Sequence, residues 1–445
     1  LYSLCVSFIS LQYPLFYLSL LGGLSWIRAS SHSSLLLFAS LYFYGASQPE
    51  LLFFLGWVIL FAYLFGREIH RAHRFKRSLL LCALLIVFAP FLAIKFLSPQ
   101  LLPTALLFPV GISFFTFQAA SYLIEIKDGR QGVVSLKTLS LYLSFFPQLI
   151  AGPIERPQKL IPQLKNLRLP NLRMWKIGLY EILCGLFKKC VLADRLGLLV
   201  DPVYSRITDW DLVTISLATI LYGFQIYLDF SAYCQIAVGS ASLLGIELSE
   251  NFHRPYLATS PREFWRRWHK TLGLWFRDYV YIPLGGAQKN TLLALLFVFL
   301  LSGIWHGRTV LFILWGFWHF LLYITLEKSR LFKLLRIGKW AGILCTQCGV
   351  LAGWSLFRSE SLPSFLQIFS QPFFLPGISP LSWHLNAMLI SLLICCGVFI
   401  VELMAENEIL DRRIQRNSLG FRLLITGLII LLGRFEPYEF LYFRF

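Results

Sequence analysis

Of the 445 residues, 57% are hydrophobic and only 14% charged, against the roughly one quarter charged in an average soluble chain. Forty Lys and Arg face 23 Asp and Glu, a formal net charge of +17, but the basic residues lie between apolar runs, as in REIHRAHRFKR at 67–77 and EKSRLFKLLR at 327–336. That is the pattern of cytoplasmic loops in membrane proteins, and with no nucleic-acid-binding motif beside it the composition excludes a soluble enzyme and a nucleic-acid partner and indicates an all-α integral membrane protein.

Apolar runs recur at 35–65, 78–97, 101–126, 212–228, 291–301, 310–325, 341–357, 388–403 and 421–432. Some reach the span of about 20 residues and others fall short, so roughly ten to twelve helices are expected, some tilted, broken or re-entrant. Residues 1–24 read as a first, retained membrane helix, because they carry neither a basic n-region nor a small-residue cleavage site. Gly45 and Pro49 break the next run into a helical pair, and the basic stretch 67–77 follows on the cytosolic side. In 108–130, Ser113, Thr116, Gln118, Ser121 and Tyr122 place polar groups at hydrocarbon depth. They either bond between helices or line a substrate cavity, with Gln118 a candidate for the latter. Pro147, Pro153, Pro157 and Pro162 break 141–164 into short pieces, as in a re-entrant or interfacial bend. Arg168, Arg173, Lys176, Lys188 and Lys189 form a second basic region. Within LYGFQIYLDFS at 221–231, Asp229 is an ionisable group in apolar surroundings, which marks a site or a paired support for one.

The densest polar and aromatic patterning lies in 251–320. Pro261 and Glu263 suit a helix start, and Trp265, Trp268, Leu272 and Trp275 recur at three and four. An amphipathic helix along the membrane surface is expected, with His269 on it and Arg262, Arg266, Lys270 and Arg277 on its basic face. In SGIWHG at 302–307, the glycines allow close backbone approach and Trp305 supplies a flat apolar wall. Partial desolvation of His306 favours the neutral imidazole that can take a proton from a hydroxyl. His319, in GFWHF, reads as a packing or hydrogen-bonding residue. No GxSxG, Walker loop, HExxH or dinucleotide fingerprint occurs. No nearby Cys or carboxylate completes a metal set with the two histidines, and the CTQC pair at 345–348 lies in an apolar run without a second pair.

Eight motifs spread over nearly the whole chain carry a resemblance. They are SLYFYG at 40–45, GISFFTFQAASYLIEI at 111–126, FFPQLIAGPIERP at 145–157, YGFQIYLDFSAY at 222–233, the block at 251–286, SGIWHG at 302–307, GWSLFR at 353–358 and the terminal FLYFRF. The chain resembles the membrane-bound O-acyltransferase superfamily, in the bacterial branch that holds alginate O-acetyltransferase and the D-alanyl transfer protein of teichoic acid modification. FFPQLIAGPIERP and YFRF look closer to the polysaccharide-acetylating members. The resemblance implies one polytopic domain over 1–445 with its core motif at 251–320, a ring of membrane helices around a thin centre. His306 matches the family's near-invariant histidine and His269 its second, both expected to be catalytic; beside them Asp229, Gln118, Trp305 and Arg266, read from their own settings, are the candidates for binding substrate or supporting the site. It implies no metal and no tightly bound cofactor, but an acyl donor such as acetyl-CoA or an acyl carrier thioester. The acceptor would be an extracytoplasmic polysaccharide, reached directly or through an extracytoplasmic acetyltransferase or acyl-acceptor protein, from the bacterial inner membrane. D-alanyl transfer is the alternative within the family, and a transporter or structural membrane subunit the alternative outside it.

With positive loops inside, 67–77 and 327–336 are cytosolic and 358–384 faces out. In a cysteine-depleted background, Ser364→Cys is expected to react with an impermeant thiol reagent in intact cells. Labelling only after lysis would invert the map.

Overall fold

The computed structural model describes residues 8–10, 12–46, 49–96, 111–286, 288, 290–328, 338–373, 383–407, 418–435 and 440–441, and every regular element among them is helical. The sequence expectations for 1–7, 101–110, 329–337, 374–382 and 442–445 lie outside the described residues. The chain forms two compact units, one of Leu1–Gly185, Tyr233–Glu250 and Phe435–Pro437, the other of Leu186–Ala232, Asn251–Arg434 and Tyr438–Phe445.

The first unit contains α1 (Gln12–Trp26), α2 (His32–Gly45), α3 (Leu51–Arg71), α4 (Lys76–Phe96), α5 (Ile112–Lys127), α6 (Leu136–Ser144), α7 (Phe146–Leu149), α8 (Pro157–Lys165) and most of α9 (Leu172–Leu186). Helices α3 and α4 have 21 residues each, about 31 Å of helix, which matches a hydrocarbon core of about 30 Å. Leu55, Val58, Ala62, Gly66 and Ile69 make the buried stripe of α3, which packs on α5. Phe53, Leu60 and Leu64 stand outward, as lipid permits. Gly111 opens α5 at φ 87°, and a Cβ there would meet the Leu149 carbonyl oxygen at 2.7 Å. Helix α5 is buried along almost its whole length, Thr116, Gln118 and Ser121 included. The proline-rich stretch resolves into α6, α7 and α8 with buried irregular backbone at 150–156. Tyr142 Oη donates to the Glu155 carbonyl at 2.8 Å, and Glu155 Oε2 accepts from Ser249 Oγ at 3.2 Å.

The second unit contains a π-helical turn, Phe187–Ala193, then α10 (Asp194–Ser205) and α11 (Leu212–Leu243) as far as Ala232. Next come α12 (Pro261–Arg267), α13 (Lys270–Phe276), α14 (Thr291–His306), α15 (Val310–Tyr323), α16 (Lys339–Arg358), α17 (Leu362–Gln367), α18 (Trp383–Glu406) and α19 (Leu419–Leu432). Helices α14 and α15 form a hairpin in which backbone touches backbone. A Cβ at Gly303 would lie 2.2 Å from the Phe312 carbonyl oxygen, and one at Gly316 2.2 Å from that of Phe299. Small residues at such crossings are how apolar helices gain packing where lipid offers no hydrophobic drive.

Among the described residues, six helices are long and apolar enough to cross a membrane, rather than the roughly ten to twelve expected from the apolar runs. The surplus runs went elsewhere: α1, α2 and α5 have 15, 14 and 16 residues, and the prolines cut 141–165 into three pieces. Helices α14 and α19 are apolar but shorter than a full span. The protein is nonetheless a multi-pass membrane protein.

Gly316→Ala is expected to destabilise the α14/α15 hairpin by about 1–3 kcal/mol, the usual cost of forcing a methyl group into a filled contact. The thermal midpoint of the purified protein in detergent measures it, with Gly427→Ala, where nothing lies within 4 Å of the added carbon, as the neutral comparison.

Candidate active site

His306 is the last residue of α14 and stands at the turn into α15. A helix of 16 residues is about 24 Å long, short of the hydrocarbon thickness of about 30 Å, so the turn need not reach the far water. Gly307 follows because a side chain there would collide with the Phe312 ring, 2.0 Å from an added Cβ. The His306 imidazole is half-buried and meets Trp315 and Phe357 edge-on, at centroid distances of 5.1 and 5.2 Å. It borders a cavity of ≈ 20 Å³ whose other polar wall is Asp229 and whose apolar walls include Phe230, Trp268, Trp354, Phe357 and Leu441. That space holds about one water-sized group.

His269 does not lie on a helix. The single amphipathic helix expected from the tryptophan spacing is broken: α12 ends at Arg267, Trp268 is extended, and His269 takes left-handed backbone at φ 42°. Such a conformation costs a non-glycine residue about 1–3 kcal/mol and persists only where the surroundings impose it. Here the segment from Asn251 runs alongside. His253 N donates to the Arg267 carbonyl and Lys270 N to the Asn251 carbonyl, each at 2.9 Å. Asn251 Oδ1 accepts from Thr271 N at 3.1 Å and from Thr271 Oγ1 at 3.0 Å. Arg267 pairs with Glu263 at 2.6 Å and with Glu406 at 2.9 Å, and Glu406 also holds Arg254 at 2.6 Å. The break turns the His269 ring inward, 2% exposed, between Phe230 at 4.8 Å and Trp305 at 6.0 Å. Burial pushes its imidazole down to about 3, so it is neutral across the physiological range. Trp305, 5% exposed, also lies 4.7 Å from the His306 ring, so one indole touches both histidines.

Asp229 has both carboxylate oxygens engaged. Oδ1 is 2.8 Å from Lys189 Nζ, and Oδ2 accepts from Leu441 N at 2.8 Å. Lys189 has no exposed surface and is also 2.8 Å from Asp194, with the Phe440 ring 4.2 Å away. Burial works against the lysine charge, and Asp229 and Asp194 outweigh it, holding its pKa above the ordinary value. Burial raises Asp194 to about 6 against the pull of the same lysine.

Sequence reasoning placed Lys189 in a second basic region and passed over Asp194. The signal was their spacing of five, which misses the three or four of an α-helical face but suits the i to i+5 geometry of a π turn. It also passed over Asn251, Trp354 and Phe357 as individual side chains, and read Trp268 only as part of a helical face. Of the residues expected at the site, His306 and Asp229 share the cavity and Trp305 joins the two histidines. Arg266 is exposed on α12, and Gln118 is buried on α5 of the first unit. His319 is fully buried and packs against Trp265 and Trp315, each at 4.9 Å. Among the described residues no group of three His, Cys, Asp or Glu is placed to hold a metal ion.

The family model described as MBOAT, membrane-bound O-acyltransferase family, matches residues 24–341. Among similar proteins, "Probable alginate O-acetylase AlgI" of Pseudomonas fluorescens is 34% identical over 364 residues, covering 78% of this chain and 71% of that protein. "Peptidoglycan O-acetyltransferase" of Helicobacter pylori is 32% identical over 393 residues, with 77% and 74% covered. "Teichoic acid D-alanyltransferase" of Streptococcus thermophilus is 29% identical over 289 residues, with 60% and 68% covered.

Removing one partner from a buried, compensated charge cluster typically costs about 3–5 kcal/mol. Lys189→Met, which leaves Asp194 and Asp229 facing each other, is therefore expected to lower the detergent-solubilised yield and thermal midpoint sharply. Lys188→Met, one residue away, should be far milder, and equal losses from the two would remove the cluster's structural weight.

Proposed function

Because this chain belongs to the membrane-bound O-acyltransferase family, we propose that it moves an acetyl group from a cytosolic thioester to a hydroxyl of a cell-envelope polysaccharide. It is a membrane O-acyltransferase; the acetyl group, the donor, the acceptor and the direction across the bacterial inner membrane are the proposal. The observation that carries it is the pair of histidines on one indole, with His306 at the wall of a small, mostly aromatic cavity.

In this reading His306 is the base. It takes the proton of the incoming hydroxyl as the oxygen bonds to the acyl carbon; the carbon–sulfur bond then breaks and the leaving thiolate takes the proton back. Low-dielectric aromatic walls strengthen the polar contacts made to the developing oxyanion. His269, held neutral by burial, acts through hydrogen bonds rather than as a fixed positive charge. Asp229 shapes the wall: with both oxygens engaged, it is a poor candidate for a second base. Arg266 is exposed on α12 and, with the other basic residues near that surface, suits an anionic donor or a carrier protein arriving from the cytosol, while Gln118 stays a candidate for binding substrate. The transfer is completed directly on the polysaccharide or through an extracytoplasmic acetyltransferase or acyl-acceptor protein. The acetyl reading follows the Pseudomonas fluorescens and Helicobacter pylori relatives named for O-acetyl transfer, each of which matches more of this chain than the Streptococcus thermophilus D-alanyltransferase does. D-alanyl transfer is the second reading and rests on that last relative.

Thioester hydrolysis and transfer are measured separately in reconstituted vesicles with the partner present, using acetyl and D-alanyl donors side by side. His306→Ala is expected to insert normally and to lose transfer by about 10²–10⁴-fold, the usual weight of general acid–base catalysis. His269→Ala loses less, and the double variant is no worse than His306→Ala, since residues acting as a unit are not additive. Full polymer acetylation in cells carrying only His306→Ala would sink the base assignment.

A further inference from the structure

The fixed point beside His269 is the side chain of Asn251. Its Oδ1 accepts the backbone N–H of Thr271 at 3.1 Å. A backbone amide only donates, so this contact identifies the amide atom as oxygen and excludes the flipped orientation. The same oxygen lies 3.2 Å from His269 Nδ1. Two lone pairs do not share a hydrogen bond, so Nδ1 is the nitrogen that carries hydrogen. A neutral imidazole carries one N–H only, so Nε2 carries no hydrogen and has an acceptor lone pair.

We infer that Asn251 is a positioning residue that holds His269 as the Nδ1–H tautomer, so that Nε2 presents a lone pair to the acyl-transfer reaction. This rests on the reading that His269 serves the transfer. The frame is well built for the task. Asn251 is buried and its carbonyl is bonded by Lys270 N, so the residue that caps the start of α13 also sets the ring one residue before it. The ring faces around His269 are aromatic: Phe230 from α11, Phe252 from the paired segment and Trp305 from α14. Arg267 and Arg254 are engaged with Glu406, and Asp229 with Lys189. A tautomer set in this way is a choice of which edge of the ring accepts a proton or a hydrogen bond, and Trp305 puts that ring one indole away from His306.

The test is a direct reading of the two ring nitrogens. Protein labelled with ¹⁵N-histidine is placed in lipid vesicles, and the His269 signals are identified by their loss in His269→Gln. Wild type is expected to show hydrogen on Nδ1 and none on Nε2. Thr271→Val, which keeps the Asn251 contact to His269, should retain that tautomer. Asn251→Leu should show a mixture of tautomers and lose transfer by about tenfold, the scale of one buried hydrogen bond left unmade. If Asn251→Leu fails to fold, Asn251→Asp, which keeps an acceptor oxygen, is expected to keep Nδ1 protonated. Hydrogen on Nε2 in wild type, or a tautomer unchanged in folded Asn251→Leu, would overturn the role of Asn251. The two readings separate cleanly. Full transfer by His269→Ala removes the role of His269, whereas impaired transfer with hydrogen on Nε2 removes the role of Asn251 alone.

Discussion

A lysine ammonium with no exposed surface has to be compensated by its own protein, and much of the second unit follows from how Lys189 is compensated. An isolated charge cannot be held at such a depth, so two carboxylates converge on it. One comes from five residues on, across a π turn, and the other from α11. The second oxygen of Asp229 then takes the backbone N–H of Leu441, and the neighbouring Phe440 ring covers the ammonium. Arg434 N, just past α19, bonds the Cys190 carbonyl on the same π turn. Because Asp229 and Leu441 both line the His306 cavity, the shape of that cavity is a by-product of neutralising one buried charge.

The two histidines reach the interior by opposite devices. His306 ends a regular helix and comes close to its neighbours because Gly303 and Gly316 remove the side chains that would hold α14 and α15 apart. His269 depends on irregularity. Had the helix starting at Pro261 continued, its ring would sit on a helical face in line with Trp265. The left-handed turn, secured by backbone pairing with 251–254 and by the Arg254, Arg267, Glu263 and Glu406 network, directs it between aromatic rings instead. Backbone held away from its preferred basins by a dense set of compensating bonds is typical of functional positions.

Several of these features were legible in the sequence because they depend only on residue type and local spacing. A low share of charge, repeated apolar runs and basic stretches between them determine a multi-pass membrane protein. The motifs at 111–126, 145–157, 222–233, 251–286 and 302–307 point to the acyltransferase family, and they single out His269, His306 and Asp229 as candidate site residues. The proline pattern at 147–162 determines that this stretch is no straight span.

What the tertiary structure alone decided is where those groups face and what neutralises them. Tryptophan spacing predicts a helical face only while the helix continues, and the break at His269 is imposed by pairing with residues some 18 positions away. Lys189 looked like one more topological charge because a charge count is blind to burial. Its partner Asp229 is 40 positions distant, and the Asp229 contact to Leu441 spans 212. Hydropathy likewise overcounted the spans, since an apolar run buried in protein, as in α5, has the same composition as one buried in lipid. Local sequence sets the cost and preference of each residue, whereas compensation of a buried charge or a strained backbone is settled between segments that meet only when the chain has closed.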